Sequence, residues 1–202
     1  TTLLHSGENE LLVTLADGWY SGRIGLTYEL KSPVIRGLYG KRPRLWARLT
    51  VAGRCLLVSD NQWQIANDGP VRSACLLDGE VHDLRCQPSD WNRVIVDQTL
   101  SPRIQAQDHD PIRVTDQLQP VSITMLDADR AIFDIGQNIA GWLRVVLHGP
   151  AGHTVSLRHG EMLTPEGELY RANLRIEDPP RLGAQQEDRV TLAGEPGGEV
   201  FQ

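Results

Sequence analysis

The sequence of 202 residues has no long apolar run, an excess of negative charge and almost no helical periodicity. No run approaches the ~18 apolar residues that cross a bilayer, so a membrane partner is not expected. The formal net charge of -6 argues against nucleic acid as a partner, because phosphate binding needs a basic surface. No stretch of about 12 residues keeps its apolar side chains three and four apart, which argues against a helical fold.

Cysteine is also scarce, with three residues at positions 55, 75 and 86. Their odd number and the lack of Cys-x-x-Cys spacing predict free thiols, with one disulfide and a leftover thiol as the alternative. Cys55 and Cys75 lie in apolar stretches, which predicts that both are buried. Free thiols favour a reducing compartment, so we expect a cytoplasmic location over a secreted or periplasmic one.

The sequence contains no P-loop, Rossmann glycine run, Gly-x-Ser-x-Gly or His-Glu-x-x-His motif. It therefore gives no ground for expecting a nucleotide cofactor, a serine nucleophile or a zinc site. His153 and His159 alternate on one predicted strand face, and we interpret both as surface residues. The chain does not begin with Met and opens in a strand-like pattern, so we expect it to be a segment of a longer protein.

The sequence does contain short runs rich in Val, Ile, Leu, Thr and Trp, separated by turns with Gly, Pro and Asp. The runs predict strands at residues 11–15, 44–51, 56–59, 91–96, 121–125, 131–134, 142–147, 154–159 and 189–192. Short strands at this spacing predict an all-β fold of two consecutive β-sandwich, jelly-roll-like modules. A polar, proline-spaced segment between residues 97 and 120 predicts their connection. We therefore expect modules at residues 1–110 and 111–202, either of which could be truncated.

The most specified stretch is Asp-Ile-Gly-Gln-Asn-Ile-Ala-Gly-Trp at residues 134–142. Its two glycines allow backbone angles or close approaches that a side chain would forbid, and its polar side chains can bond exposed backbone groups. A hairpin needs only one Asn-Gly or Asp-Gly pair, so this stretch specifies more than a turn. We predict structural roles for Asp134, Gly136, Gln137, Asn138, Gly141 and Trp142, together with Glu161 further along the chain.

Three aromatic residues are candidates for carbohydrate binding, namely Trp19, Tyr20 and Trp63. Aromatic rings bind the apolar faces of sugars, and Trp19 and Tyr20 stand between Gly18 and Gly22. The alternative is that Trp19 plugs the edge of a sandwich core and that Trp63 packs inward.

Two groups of polar residues suggest other chemistry. Asp60 and Asn61 could contribute oxygen ligands to Ca²⁺, although no EF-hand spacing is present and turn capping explains them more simply. Glu166 and Glu168 could form a glycosidase pair, but the Thr-Pro-Glu-Gly turn around them predicts a solvated hairpin tip. Glu161 lies between a strand and this turn, where we expect an ion pair with Arg158 or Arg171.

Taken in order, these pieces resemble the non-catalytic β-sandwich region of bacterial α-L-rhamnosidases, glycoside hydrolases that remove terminal L-rhamnose. The similarity spans essentially the whole chain. The matching pieces, in chain order, are Gly7-Glu8-Asn9, residues 17–20, Ser59-Asp60 with Trp63, Gly69-Pro70, Asp78-Gly79-Glu80 with Asp83 and Arg85, the 134–142 stretch, and Glu161 with Gly167 and Tyr170. One departure is His82-Asp83-Leu84-Arg85, where the family usually has Tyr-Asp-Ala-Arg. The contacts of that Tyr and Ala are therefore not carried over.

The resemblance implies a parent enzyme that hydrolyses rhamnose-containing glycans with two carboxylates on a downstream (α/α)6 barrel. We expect the present chain to be non-catalytic and to brace that barrel as its partner. Some family members bind rhamnose through Ca²⁺ in a domain of this kind, but no ligand set can be matched here, so we assign no metal or cofactor. Two alternatives stay open, a carbohydrate-binding module and an unrelated β-sandwich interaction domain.

Overall fold

The computed structural model describes residues 3–24, 36–99, 103–174 and 183–202. Helical structure in these residues is confined to α1 (Gly18–Ser21) and a 3-10 turn at Ala172–Leu174. The strands are β1 (Arg48–Val51), β2 (Arg54–Val58), β3 (Gln64–Ile65), β4 (Val71–Cys75), β5 (Gly79–Asp83), β6 (Asn92–Arg93), β7 (Ser122–Met125), β8 (Ala131–Asp134), β9 (Val145–Leu147), β10 (Thr154–Arg158), β11 (Met162–Leu163), β12 (Leu169–Tyr170), β13 (Glu187–Thr191) and β14 (Glu199–Phe201). The all-β prediction is confirmed. No helix in these ranges has the length and apolarity to cross a membrane.

The largest sheet has four strands in the order β10-β13-β5-β4. β13 runs antiparallel to β10 but parallel to β5, with Arg189 beside Val81 and Thr191 beside Asp83. Two of the strands precede the predicted module boundary at residues 110 and 111, and two follow it. The two predicted modules therefore share one sheet, while residues 103–120 between them contain no strand.

The core lies on one face of this sheet, because apolar residues alternate with polar ones along its strands. Val190, Leu192 and Phe201 are buried at its centre. Phe201 belongs to the pair of β9 and β14, which covers this inner face of the sheet. The partly buried residues around this centre are Leu84, Val145, Leu147, Val155 and Leu157.

Polar contacts fix the parallel pairing of β5 and β13 at both ends. The backbone N–H of Glu80 donates to Asp188 Oδ1 at 2.8 Å, and that of Leu84 donates to the Thr191 carbonyl at 2.9 Å. At Gly79, where φ is +80°, a Cβ atom would collide with the Glu187 carbonyl. Only glycine combines this backbone angle with so close an approach.

The other strands form two-stranded sheets: β1 with β2, β3 with β6, β7 with β8, β9 with β14, and β11 with β12. Many of their apolar side chains are exposed. The chain exposes 16218 Å² of surface, whereas a compact monomer of its mass would expose about 9,500 Å². Within the described ranges, much of this sheet surface consequently has no covering layer.

Two local predictions are wrong. Residues 11–15 form no strand, because they pair with no other strand in the described residues and their leucines are exposed. Cys55 is exposed on the uncovered β1–β2 sheet, whereas Cys75 is buried as predicted. All three cysteines are free.

Replacing Leu192 by Ala is expected to lower the free energy of unfolding by about 2–5 kcal/mol, because Leu192 is fully buried. Leu56→Ala is the matched control, since Leu56 is exposed on β2 and its replacement should change stability by less than about 0.5 kcal/mol. Urea titration followed by circular dichroism measures both. Equal losses in the two variants would contradict the assigned core.

Candidate functional site

The stretch at residues 134–142 begins where β8 ends. The Asp134 side chain accepts a hydrogen bond from the Gly136 backbone N–H at 2.7 Å, and its carbonyl accepts one from Val121 at 2.7 Å. Gly136 has a φ of +79° and packs against Val121. Asp134 therefore closes a turn that holds the end of β8 against the start of β7.

The rest of the stretch faces solvent. Trp142 is 54% exposed, and Gln137 forms no hydrogen bond to any residue in the described ranges. Asn138 donates to Glu161 Oε1 over 3.4 Å. Gly141 has no atom near its would-be Cβ, so the fold as described does not require glycine there. These groups are available for contacts outside the described residues, and their structural roles stay predictions.

Beside this turn lies an apolar surface, called here the hairpin face. Ile123 pairs with Phe133 and Met125 pairs with Ala131, so these side chains point to one side of the β7–β8 hairpin. Val121 continues the same side. The four large side chains of the hairpin face are exposed by 56–69%: Val121, Ile123, Met125 and Phe133. A contiguous apolar surface of this kind is typical of an interaction site.

The predicted ion pair of Glu161 with Arg158 or Arg171 is wrong. Both arginines bind Glu187 instead, at 3.0 and 3.3 Å. Pairing of β10 with β13 places Glu187 directly opposite Arg158, and Glu161 lies beyond the end of β10. The sequence does not reveal this, since Glu187 is 29 residues from Arg158.

Glu166 and Glu168 lie at a hairpin tip, as the Thr-Pro-Glu-Gly turn predicts. Thr164 and Glu168 close the turn between β11 and β12, and Gly167 has a φ of +85°. Glu168 forms an ion pair with Arg130 at 3.0 Å. A hydrogen bond from the Thr164 side chain lowers the pKa of Glu166. Glu166 is consequently held as a carboxylate and lacks the raised pKa of a general acid.

Trp19 and Tyr20 lie on α1 rather than at the end of a strand. Trp19 is 49% exposed, while the Tyr20 hydroxyl accepts a hydrogen bond from Arg44 at 3.1 Å. The Tyr20 ring packs directly on Gly40, where a Cβ would overlap it. Trp19 is therefore the freer of the two rings.

Trp63 lies elsewhere, half-buried beside β2. Its indole N–H donates to the Val58 carbonyl at 3.0 Å, as expected for an inward-packed Trp. Asp60 Oδ1 accepts the Gln62 backbone N–H at 2.8 Å, so Asp60 caps this turn as predicted. No ring contact joins Trp63 to Trp19 or Tyr20 in the described part of the chain. Sugar binding by these three residues stays a prediction.

The described ranges contain no group of three or more His, Cys, Asp or Glu side chains placed to hold a metal ion. His153 and His159 are both exposed, as predicted, and His159 faces Asp188 at 3.2 Å. His82, where the resemblance leads one to expect Tyr, packs its ring edge-on to Phe201 at 5.0 Å between centroids. Asp83 binds Arg85, whose hydrogen bonds lower the pKa of this carboxyl to about 2.

Sequence reasoning missed the polar cluster around Asp78. This carboxylate binds Arg23 at 2.6 Å and Arg36 at 3.3 Å, and Arg36 also binds Asp17. Arg23 is almost fully buried and also donates to the Gly183 carbonyl. The cluster thus joins three distant parts of the chain, and no local pattern predicts it.

Gly136→Ala should lower the free energy of unfolding by about 1–3 kcal/mol, because its φ is positive and the new Cβ would lie 3.0 Å from Val121. Gly141→Ala is the control within the same stretch and should be close to neutral, since its Cβ would point into open space. Thermal unfolding of both variants measures the difference. A neutral Gly136→Ala would contradict the turn geometry.

Comparison with known proteins gives consistent results along the whole chain. Residues 1–125 match the α-L-rhamnosidase N-terminal domain, and residues 124–202 match the bacterial α-L-rhamnosidase concanavalin-like domain. The chain is 32% identical over 217 residues to an α-L-rhamnosidase of Streptomyces avermitilis, covering 100% of this chain and 20% of that protein. It is 33% identical over 190 residues to an α-L-rhamnosidase of Alteromonas sp. strain LOR, covering 87% of this chain and 20% of the relative.

Solved structures agree with these matches. The crystal structure of the Streptomyces avermitilis α-L-rhamnosidase complexed with L-rhamnose superposes with a TM-score of 0.75 at 33% identity, covering 92% of this chain and 18% of that one. The Aspergillus terreus enzyme gives a TM-score of 0.69 at 29% identity, covering 92% and 21%. The chain thus spans about a fifth of the length of the relatives that it matches. It belongs to the α-L-rhamnosidase family and corresponds to the N-terminal and concanavalin-like domains of this family.

Proposed function

We propose that this chain is the bracing part of an α-L-rhamnosidase that hydrolyses terminal L-rhamnose from glycosides, and that its hairpin face packs against the catalytic (α/α)6 barrel. The observation that carries this proposal is the hairpin face itself, with four large apolar side chains exposed beside the 134–142 stretch. Burying such a surface stabilises a contact by roughly 25 cal/mol for each Å². The far greater length of the relatives supports a partner of this kind within one protein.

The state of the carboxyl groups supports a non-catalytic role. A general acid that works near neutral pH needs a raised pKa. In Asp68, Asp83, Asp97, Asp127 and Glu166 the pKa is lowered, chiefly by a hydrogen bond from a neighbouring side chain. In the described ranges, each carboxyl group with a displaced pKa is displaced in this direction. These carboxylates are therefore suited to ion pairs and turns.

The isolated chain is expected to show no turnover of an aryl α-L-rhamnoside, because its described residues position no acid and base around a sugar. Release of the aryl group, followed by absorbance, measures this. Glu161→Gln is the informative variant, since Glu161 lies beside the 134–142 stretch and contacts Asn138. Turnover that disappears in Glu161→Gln would overturn the non-catalytic role.

A second candidate function is sugar binding, which the exposed ring of Trp19 favours. Calorimetry with L-rhamnose, with and without Ca²⁺, separates it from bracing. Under this second candidate, millimolar rhamnose releases heat that is lost in Trp19→Ala. Trp63→Phe serves as a control, because the Trp63 indole N–H is already bonded to the Val58 carbonyl. Absence of heat with the unaltered chain rejects this candidate and leaves bracing alone.

A further inference from the structure

The outer face of the four-stranded sheet carries a row of polar side chains. Thr154, Ser156 and Arg158 alternate on β10 with the inward-facing Val155 and Leu157. On β13 they face Thr191, Arg189 and Glu187, respectively. The side chains of Arg158 and Arg189 are 52% and 59% exposed. This face is open to solvent, whereas the inner face holds the core.

Three guanidinium groups converge on one carboxylate in this row. Glu187 Oε2 accepts from Arg158 Nε at 3.0 Å and from Arg171 Nη1 at 3.3 Å, and Oε1 accepts from Arg189 Nε at 2.9 Å. The Glu187 side chain is only 10% exposed. Burial raises its pKa, but the hydrogen bonds from Arg189 and Arg158 outweigh that effect and lower it. Glu187 is therefore ionised and holds both arginines by their Nε atoms.

The cluster carries more positive than negative charge. Three arginines share the single charge of Glu187, and they form no ion pair with another carboxylate in the described ranges. Arg130 shows the opposite arrangement, since one guanidinium lies between Asp127 and Glu168. The surplus cations stand out in a chain whose net charge is -6. Like charges held this close repel one another, and a bound anion would relieve that repulsion.

The unused donors of the cluster point to its ligand. Arg158 and Arg189 contribute only their Nε–H groups to Glu187, so their terminal NH₂ groups keep donors for a second acceptor. Guanidinium groups bind planar carboxylates and tetrahedral oxyanions through such paired donors. The hydroxyl of Ser156 lies directly across from Arg189, and those of Thr154 and Thr191 are joined at 2.9 Å. Hydroxyl groups of a ligand would find partners there.

We propose that Arg158 and Arg189, held in place by Glu187, form a binding site for an oxyanion, either a carboxylate or a sulfate group. The ligand is either a free inorganic anion or an acidic sugar. In the second case the hydroxyl groups of the sugar reach Ser156 and the Thr154–Thr191 pair. The proposal is independent of the bracing role, because this face lies on a different sheet from the hairpin face.

The test is a titration of the chain with sodium sulfate, acetate, D-glucuronate and D-glucose at constant ionic strength set with sodium chloride. Backbone amide shifts in nuclear magnetic resonance spectra report the binding. Saturable shifts around residues 154–158 and 187–191 are expected with the three anions and not with glucose. Tighter binding of glucuronate than acetate identifies an acidic sugar, and equal binding identifies a free oxyanion.

Arg158→Gln and Arg189→Gln should each weaken anion binding by about tenfold or more, which is the effect of losing one charge-assisted contact. Arg130→Gln is the matched control, because Arg130 is as exposed as Arg158 but already has two carboxylate partners. The Arg130→Gln variant should bind anions as tightly as the unaltered chain. Arg189→Lys keeps the charge and the fold but loses the paired donors, so it should bind weakly. Shifts that never saturate, or that are equal in the Arg189→Gln and Arg130→Gln variants, would overturn the site.

Discussion

The parallel pairing of β13 with β5 is the constraint on which the rest of the structure depends. It joins segments about a hundred residues apart, as the bond from Glu80 to Asp188 spans 108 positions. Because side chains alternate along a strand, this register sends Val190 into the core and Arg189 to the open face. The same pairing needs Gly79, where the Glu187 carbonyl of β13 approaches too closely for a side chain. This pairing determines which side chains form the core and which form the polar face. It also joins strands from both matched family domains in one sheet.

Outside this sheet, the described residues bury little of their apolar surface. The hairpin face is the clearest case, since β7 and β8 pair with each other and leave Ile123 and Phe133 exposed. The turn formed by Asp134 and Gly136 rests on Val121, which links the most specified stretch of the sequence to this face. The proposed bracing role gives a physical reason for both features. A stretch that holds a docking surface needs a precise turn, and its remaining polar side chains can meet the partner.

Features set by local sequence were predictable, and features set by distant pairing were not. Thr164 and Gly167 predicted the turn near Glu168, and the alternation of apolar and polar residues predicted β10. In contrast, polar β5 becomes a strand because β4 and β13 pair with it on either side. Residues 11–15 look like a strand but pair with none in the described part of the chain. The partner of Arg158 was misassigned for the same reason, since Glu161 is near in sequence whereas Glu187 is near in space. Whether Cys55 is buried depends on whether another layer covers the β1–β2 sheet, and the local sequence does not show this.

Hydrogen exchange tests the central claim most directly, by comparing the isolated chain with a full-length α-L-rhamnosidase that carries it. If the hairpin face packs on a catalytic barrel, amides of residues 121–142 exchange more slowly in the full-length protein. Amides of β13, already protected in the four-stranded sheet, should exchange equally in both and serve as the internal reference. Equal exchange of residues 121–142 in the two proteins would contradict the account.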